Sequence, residues 1–424
     1  MTGRRESPRV LLSAYQCGPG MGSVSQIGWE WYSRLARRVP VTLVTHVRNR
    51  EALGKAGAPL PGSEVVYVDT EWFAGPLYRT AKKIFPRSEH AVFLVSSLDF
   101  FVYDRDAVKL LKRRGGTPWD VVHCPTPVTT AAPTRLARLG LPVVLGPLNS
   151  GLGLPEGFRS VMRADAGWLY PVRHFARVVD LLVGSTRGAA RILVATKSTL
   201  AAIPARHRSR CESMLENAVE LSRFTAAPWP DPPGNGRPLR VLFVGRLVPF
   251  KAVNYLLEAV ARVAGEVQVE LRVVGDGPMA AEWKGLAESL GLSSSVTFTG
   301  ARSLDEVSAE MRACHVFVLP SVRESGGGVL LEAMASARPV AGVAFGGPAE
   351  IVDESVGRSL SAEGPEPLVA ALAQLMRDVA ADPEGWRRRG EEGRRRAESR
   401  FSWDAKVDEA VRLYERILGR KADS

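Results

Sequence analysis

The sequence predicts an α/β protein made of two consecutive halves, each a parallel sheet with helices on both faces. Three observations carry this. Short apolar strands alternate with segments of helical periodicity through residues 9–199. A run crowded with Pro and Gly, "TAAPWPDPPGNGRP" at 225–238, interrupts the alternation. The alternation then restarts at "LRVLFVGRL" and continues to "PVAGVAF". At 424 residues the chain is also too long for one ordinary domain.

Taken in order, "RVLLSAY" (9–15) reads as a buried first strand that leads directly into a glycine-rich turn, not as a secretory leader. "SQIGWEWYSRLARR" places Ile27, Trp31 and Leu35 at helical spacing. "VTLVTHV", "EVVYVDT", "DVVHCP", "PVVLGPL" and "ARILVATKST" are the following strands. Beyond the linker, the helices "NYLLEAVARVA", "AAEWKGLAESLG" and "VLLEAMASA" separate the strands "LRVLFVGRL", "VELRVVGDG", "VTFTG", "HVFVLPS" and "PVAGVAF". The stretch 385–400 mixes Arg with Glu and lacks interleaved aromatics, the pattern of a solvated charged helix. The tail "WDAKVDEAVRLYERIL" carries an apolar stripe at Val407, Ala410, Val411 and Leu418. The expected organisation is a first domain over 1–222, a linker over 223–238 and a second domain over 239–402. A final helix over 403–424 crosses back to complete the first domain.

Composition narrows the classes. A hydrophobic share of 45% suits full globular cores, and no run reaches the roughly 18 apolar residues of a membrane span. Cys17, Cys124, Cys211 and Cys314 are scattered without a CxxC pair, which argues against metal or disulfide frameworks and fits a cytoplasmic setting. The net charge of +11 suits an anionic partner.

Three stretches carry chemistry. "YQCGPGMGSVSQIG" follows the first strand and opens a helix, so backbone amides near Gly22 and Ser23 face whatever binds there. Its spacing is not GxGxxG, and the second strand ends in "THVRNR", with Arg48 and Arg50 where an NAD site would place a carboxylate. An NADP site remains open on those arginines. No GxxxxGK[ST] occurs, which excludes a P-loop. In "GRLVPFK", Gly245 lets the chain turn after a strand, and Arg246 and Lys251 suit a diphosphate. In "RESGGGVLLEA", Gly326, Gly327 and Gly328 form a turn at a helix start, where the dipole adds about half a positive charge. Glu324 precedes that turn and Glu332 lies one to two helical turns beyond it. The first is placed to accept bonds from sugar hydroxyls and the second from ribose hydroxyls.

On these residues the chain resembles the retaining glycosyltransferases of family GT4, which have the GT-B fold of two Rossmann-like domains facing a cleft. Glu324 and Glu332 match that family's E-x7-E motif, and "GRLVPFK" matches its phosphate motif. "VVGDGP", with Gly275, and "VTFTGAR", with Ala301 and Arg302, match its strands around the nucleobase. "LENAVELSRF" resembles its segment before the linker. The resemblance implies a metal-independent enzyme without a bound cofactor. It would move a sugar from a nucleotide-diphosphate sugar to an acceptor hydroxyl. Arg246, Lys251, Glu324 and His123 are the implied catalytic set. Gly22, Ser23, Gly245, Gly275, Ala301, Arg302, Ser325, Gly326, Gly327, Gly328, Val329 and Glu332 are the implied donor-binding set. His123 fits the first His of the family's H-x-H, while Pro125 stands where the second belongs.

Rival readings are a GT-B enzyme of another class, such as a sugar-nucleotide epimerase, an NADP-binding oxidoreductase, or a nucleic-acid-binding protein. The last is disfavoured by dispersed charge and the lack of a recognition motif. The acceptor is a small molecule or lipid-linked. "PLYRTAKKIF" sets Leu77, Tyr78, Ala81, Ile84 and Phe85 on one helical face, with Arg79, Lys82 and Lys83 off it and Arg87 beyond. Two readings stay open there: a face packed on the sheet, or peripheral contact with the inner face of a membrane.

Overall fold

The computed structural model describes residues 7–84, 95, 98–114, 118–153, 155–158 and 179–419. Two separate sheets are present, and every strand pairing inside them is parallel. The first contains β1 (Val10–Ala14), β2 (Val41–His46), β3 (Ser63–Val68), β4 (Val121–Thr126), β5 (Val143–Leu148), β6 (Arg191–Val194) and β7 (Cys211–Ser213) in the order β3-β2-β1-β4-β5-β6-β7. The second contains β8 (Leu239–Val244), β9 (Val269–Val274), β10 (Val296–Gly300), β11 (Val316–Leu319), β12 (Val340–Val343) and β13 (Gly357–Leu360) in the order β10-β9-β8-β11-β12-β13. In each sheet the order reverses beside the first strand, between β1 and β4 and between β8 and β11. Crevices outside the carboxyl ends of strands at such reversals are where open α/β sheets bind ligands.

Strands buried on both faces read as near-continuous apolar runs. In the first sheet Val10 and Leu12 join one buried cluster with Ile27, Trp31 and Leu35, whereas Leu11 joins another with Phe100, Tyr103 and Leu111. Some sequence expectations shift. The run 190–199 is a strand only to Val194; Thr196 then caps a short helix by accepting from the Thr199 amide at 3.1 Å. The short edge strands β7 and β13 and the helix Asp99–Arg113 carry no sequence expectation. Phe85 and Arg87, and residues 420–424, lie outside the described residues.

The two halves are joined twice. Val219 and Ser402 form a parallel bridge, with the Val219 amide donating to Phe401 O at 2.9 Å and the Trp403 amide to Val219 O at 3.3 Å. Ser402 caps the helix Trp403–Ile417, which lays Val407, Ala410, Leu413 and Tyr414 into the same cluster as Trp31 and Leu35. Its buried face is rotated from the stripe read in the sequence. Leu418 lies past the helix end and Val411 is only partly buried, while Leu413 and Tyr414 take the core positions. Arg338, fully buried, fixes the linker to the second half by donating to the carbonyls of Ala227, Pro228, Met311 and Arg312.

Candidate active site at the strand-order reversal of the second sheet

β8 and β11 are hydrogen-bonded neighbours, with Val316 opposite Val241 and Phe317 opposite Leu242. The loops that leave their carboxyl ends therefore meet. Lys251 comes from the first loop and Glu324 from the second, and Lys251 Nζ lies 2.5 Å from Glu324 Oε2. The other carboxylate oxygen, Oε1, accepts from the Gly327 amide at 3.3 Å. Both side chains are largely shielded, at 14% and 16% exposure, so each charge is stabilised mainly by the other. The turn continues through Gly327, whose φ of 61° lies in the left-handed region, into the helix Gly328–Ala335. Val329 follows in the first turn of that helix. The Gly347 amide closes the loop from behind by donating to Glu324 O at 2.9 Å.

Arg246 is exposed on the β8 loop, and no carboxylate among the described residues pairs with it. Glu332 is partly buried in the helix after the glycine turn, and burial pushes its carboxyl up to about 7, with Arg223 the opposing influence. At neutral pH such a group is both a donor and an acceptor of hydrogen bonds, which suits recognition of a vicinal diol. Gly245, Gly275 and Gly300 are stacked at the ends of β8, β9 and β10. The Gly275 amide donates to Gly300 O at 2.9 Å, and a Cβ on Gly275 would overlap the Gly245 carbonyl. Ala301 and Arg302 follow on an exposed loop, where Arg302 pairs with Glu306 at 2.9 Å.

Gly22 and Ser23 begin the first helix, Ser23–Leu35, at the strand-order reversal of the other sheet. Both are exposed, and Gly22 has a φ of 103°. The helix can approach β1 closely because Gly28 packs against the Gln16 carbonyl, where any Cβ would overlap.

His123 requires a correction. It does not face an opening. Its side chain is fully buried, Nε2 donates to Gly146 O at 2.6 Å, and Nδ1 accepts from the Tyr414 hydroxyl at 2.6 Å. Trp31 packs edge-on against the ring at 4.7 Å between centroids. Burial lowers its pKa to about 4, so the ring is neutral and both nitrogens are engaged. His123 is a strut between the first sheet and the last helix, and it leaves the catalytic set.

The sequence motifs do not mark a second layer behind the glycine turn. Asn149, just after β5, donates through Nδ2 to Glu216 Oε1 at 2.5 Å and to Ser325 O at 2.9 Å. A Cβ on Gly326 would overlap Asn217 Nδ2 and Glu216 Oε1. A carboxylate inside the otherwise uncharged "LENAV" was the available signal.

Two parallel α/β halves, each with its glycine turn at a strand-order reversal, and a Lys–Glu pair at a helix start define the class: a two-lobed α/β protein with ligand crevices at its strand ends. Comparisons with known proteins give the family. The family model described as "Glycosyl transferases group 1" matches residues 238–378. The chain is 32% identical over 302 residues to the 2-deoxystreptamine glucosyltransferase of Streptomyces kanamyceticus, covering 69% of this chain and 75% of that protein. It is 33% identical over 231 residues to the D-inositol 3-phosphate glycosyltransferase of Streptomyces coelicolor, covering 48% of this chain and 49% of that one. Among solved structures, Anabaena HepE in complex with UDP superposes with a TM-score of 0.64 at 15% identity, covering 96% of this chain and 100% of that one. WaaG, a glycosyltransferase involved in lipopolysaccharide biosynthesis, superposes with a TM-score of 0.56 at 18% identity, covering 96% and 99%. The chain belongs to the group 1 glycosyltransferases, of GT4 type, with the GT-B fold. No helix among the described residues is long and apolar enough to cross a membrane.

Proposed function

We propose that the chain is a retaining glycosyltransferase that moves a sugar from a nucleotide-diphosphate sugar to an acceptor hydroxyl between the two halves, without a metal or bound cofactor. The observation that carries this reading is the Lys251–Glu324 pair beside the Gly326–Gly328 turn, with Arg246 free on the adjoining loop. In the reaction the bond from the anomeric carbon to the diphosphate breaks, and one from that carbon to the acceptor oxygen forms. The acceptor proton passes to the departing phosphate on the same face. What the protein must supply is stabilisation of developing negative charge. Arg246, Lys251 and the helix start are the groups suited to it, and Glu324 and Glu332 would hold the sugar and ribose hydroxyls.

Cationic side chains and backbone amides stand where a metal would otherwise neutralise the diphosphate. The one DxD triplet of the sequence, Asp104 to Asp106, lies inside the helix Asp99–Arg113, not on a strand-to-loop edge. Transfer should therefore persist in EDTA; loss of activity restored by a divalent cation would refute the metal-free reading. A thermal-shift screen of nucleotide sugars would identify the donor, since a ligand at a hundred times its Kd stabilises by about 2.7 kcal/mol. Proton NMR of fresh product tests retention: an anomeric configuration opposite to the donor's would remove it.

The acceptor best supported is a small polar molecule, after the names of the curated relatives. One observation favours a second reading. The helix Glu71–Ile84 buries only Ala74 and Ala81, leaving Trp72, Tyr78 and Ile84 exposed beside Arg79, Lys82 and Lys83. Such a face can lie on an anionic lipid surface, which would suit a lipid-linked acceptor. Co-sedimentation with anionic and neutral vesicles at low and high salt separates the two. Salt-sensitive binding lost on Lys82→Glu with Lys83→Glu supports the lipid surface, and no binding at low salt eliminates it.

A further inference from the structure

Behind the glycine turn, four parts of the chain converge on one carboxyl group. Glu216 lies on the segment leaving the first sheet and is 4% exposed. Its Oε1 accepts from Asn149 of the first half, and that same amide also donates to Ser325 O in the second half. Its Oε2 is buried with no hydrogen-bond partner among the described residues. The backbone on either side is fixed by Lys406 of the last helix, whose Nζ donates to Leu215 O and Asn217 O, both at 2.5 Å, while lying 4.8 Å from the Trp403 ring. Gly326 rests against this group so closely that no side chain fits there.

This arrangement is costly if it serves packing alone. A buried carboxyl with one oxygen unpaired is a strain on stability, and a Leu would fill the same space without it. Its effect is geometric. Asn149 has one amide group and uses it on both Glu216 and the Ser325 carbonyl. The Ser325–Gly328 turn is thereby located against the first half and the chain crossing together. Small displacements of a preorganised anion-binding turn cost rate steeply.

We propose that Glu216 is a positioning residue for sugar transfer: through Asn149 and its contact with Gly326 it holds the Ser325–Gly328 turn in the geometry that receives the diphosphate. The proposal rests on the assignment of that turn to the donor. Lys406 acts one step further out, by fixing the peptide groups that carry Glu216. Glu216 Oε1 accepts from a neutral amide and Lys406 Nζ donates to two neutral carbonyls, so neither side chain needs its charge to make these contacts. A neutral isostere at position 216 should then suffice.

The test is a four-variant series measured at saturating donor and acceptor, with melting temperature recorded for each: Glu216→Gln, Glu216→Ala, Asn149→Ala and the double variant Asn149→Ala with Glu216→Ala. Glu216→Gln should keep kcat within about threefold of wild type. Glu216→Ala and Asn149→Ala should each lower kcat by about 10- to 100-fold with the acceptor KM little changed. The double variant should be no worse than the more impaired single, because both break one link. Hydrogen exchange of a peptide covering 323–330 should accelerate in both single variants before any substrate is added. Full kcat in Glu216→Ala with only a lower melting temperature, a Gln variant as impaired as Ala, or multiplying single effects would each overturn the proposal. Arg246→Ala serves as the control. If it too is silent, the donor assignment fails; if it is impaired while Glu216→Ala is not, only the positioning role fails.

Discussion

Arg246 and Lys251 sit on one loop in different surroundings, and this separates their expected mutants. Removing one preorganised donor to a developing anion costs about 3 kcal/mol, or 10² to 10³ in kcat. Arg246→Ala should show that loss without a change in melting temperature. Lys251→Ala should show it together with a lower melting temperature, because Glu324 is left as a shielded carboxylate that has lost its cation and keeps the Gly327 amide. Steady-state kinetics with thermal melts would check both, and near wild-type turnover in both would remove the diphosphate assignment. Glu332 gives a pH-dependent prediction. In the unfolded chain it ionises near its ordinary 4.5, while in the folded protein burial holds the proton to about 7. The folded state thus binds more protons in that window, so its stability falls as pH rises from about 4.5 to 7. Glu332→Gln escapes this, so the melting temperature of the variant relative to wild type should rise between pH 5 and pH 8. A gap that stays constant with pH would contradict it. His123 matched a family pattern by sequence position, yet its role depended on which way the ring points, and no spacing rule encodes that.

Among the elements, the glycine-rich turns were the most legible, because a glycine after a strand has few reasons to be there. Gly275 is one whose reason is now visible. With a φ of 134° and the Gly245 carbonyl against it, no side chain fits. Gly275→Ala should destabilise by about 2 kcal/mol or more, since the obstacle is backbone and the conformation is one that L-residues avoid. A chemical denaturation midpoint equal to wild type would refute this. The other strands were legible from apolar runs, whereas β7 ("CES") and β13 ("GRSL") lack such a run and were not. Short edge strands exist because a neighbour offers hydrogen bonds, and that neighbour is distant in sequence. The last helix was legible as amphipathic, but its exact face was not. Leu413 and Tyr414 are selected by the groove beside Trp31 and by the His123 nitrogen that Tyr414 reaches.

At the scale of the whole molecule, the helix Trp403–Ile417 makes the first half dependent on the end of the chain. It covers the face formed by Trp31 and Leu35, and its Asp404 and Asp408 pair with Arg38 at 2.8 and 2.5 Å. A chain ending at Ser402 would expose that apolar face and leave His123 Nδ1 without its donor. The first half should then melt at lower temperature and bind a hydrophobic dye, while the second half keeps its own transition. Calorimetry would resolve the two, and an unchanged first transition would count against the dependence. The same helix carries Lys406 to the chain crossing, so truncation should also impair transfer.

By itself, the sequence determined two parallel α/β halves, and it singled out Arg246, Lys251, Glu324 and Gly326–Gly328 as candidates. Period, turn residues and motif spacing are local properties, and a contiguous stretch contains them in full. Only the tertiary structure decided that Lys251 and Glu324 pair, that His123 is a strut, and that Asn149 and Glu216 stand behind the glycine turn. The physical reason is the same in each case. Lys251 meets Glu324 because β8 and β11 are neighbours, and Asn149 meets Glu216 and Ser325 because two halves and a chain crossing converge. Strand order and lobe packing place such groups across 67 to 176 residues of intervening chain, and no local pattern records that distance.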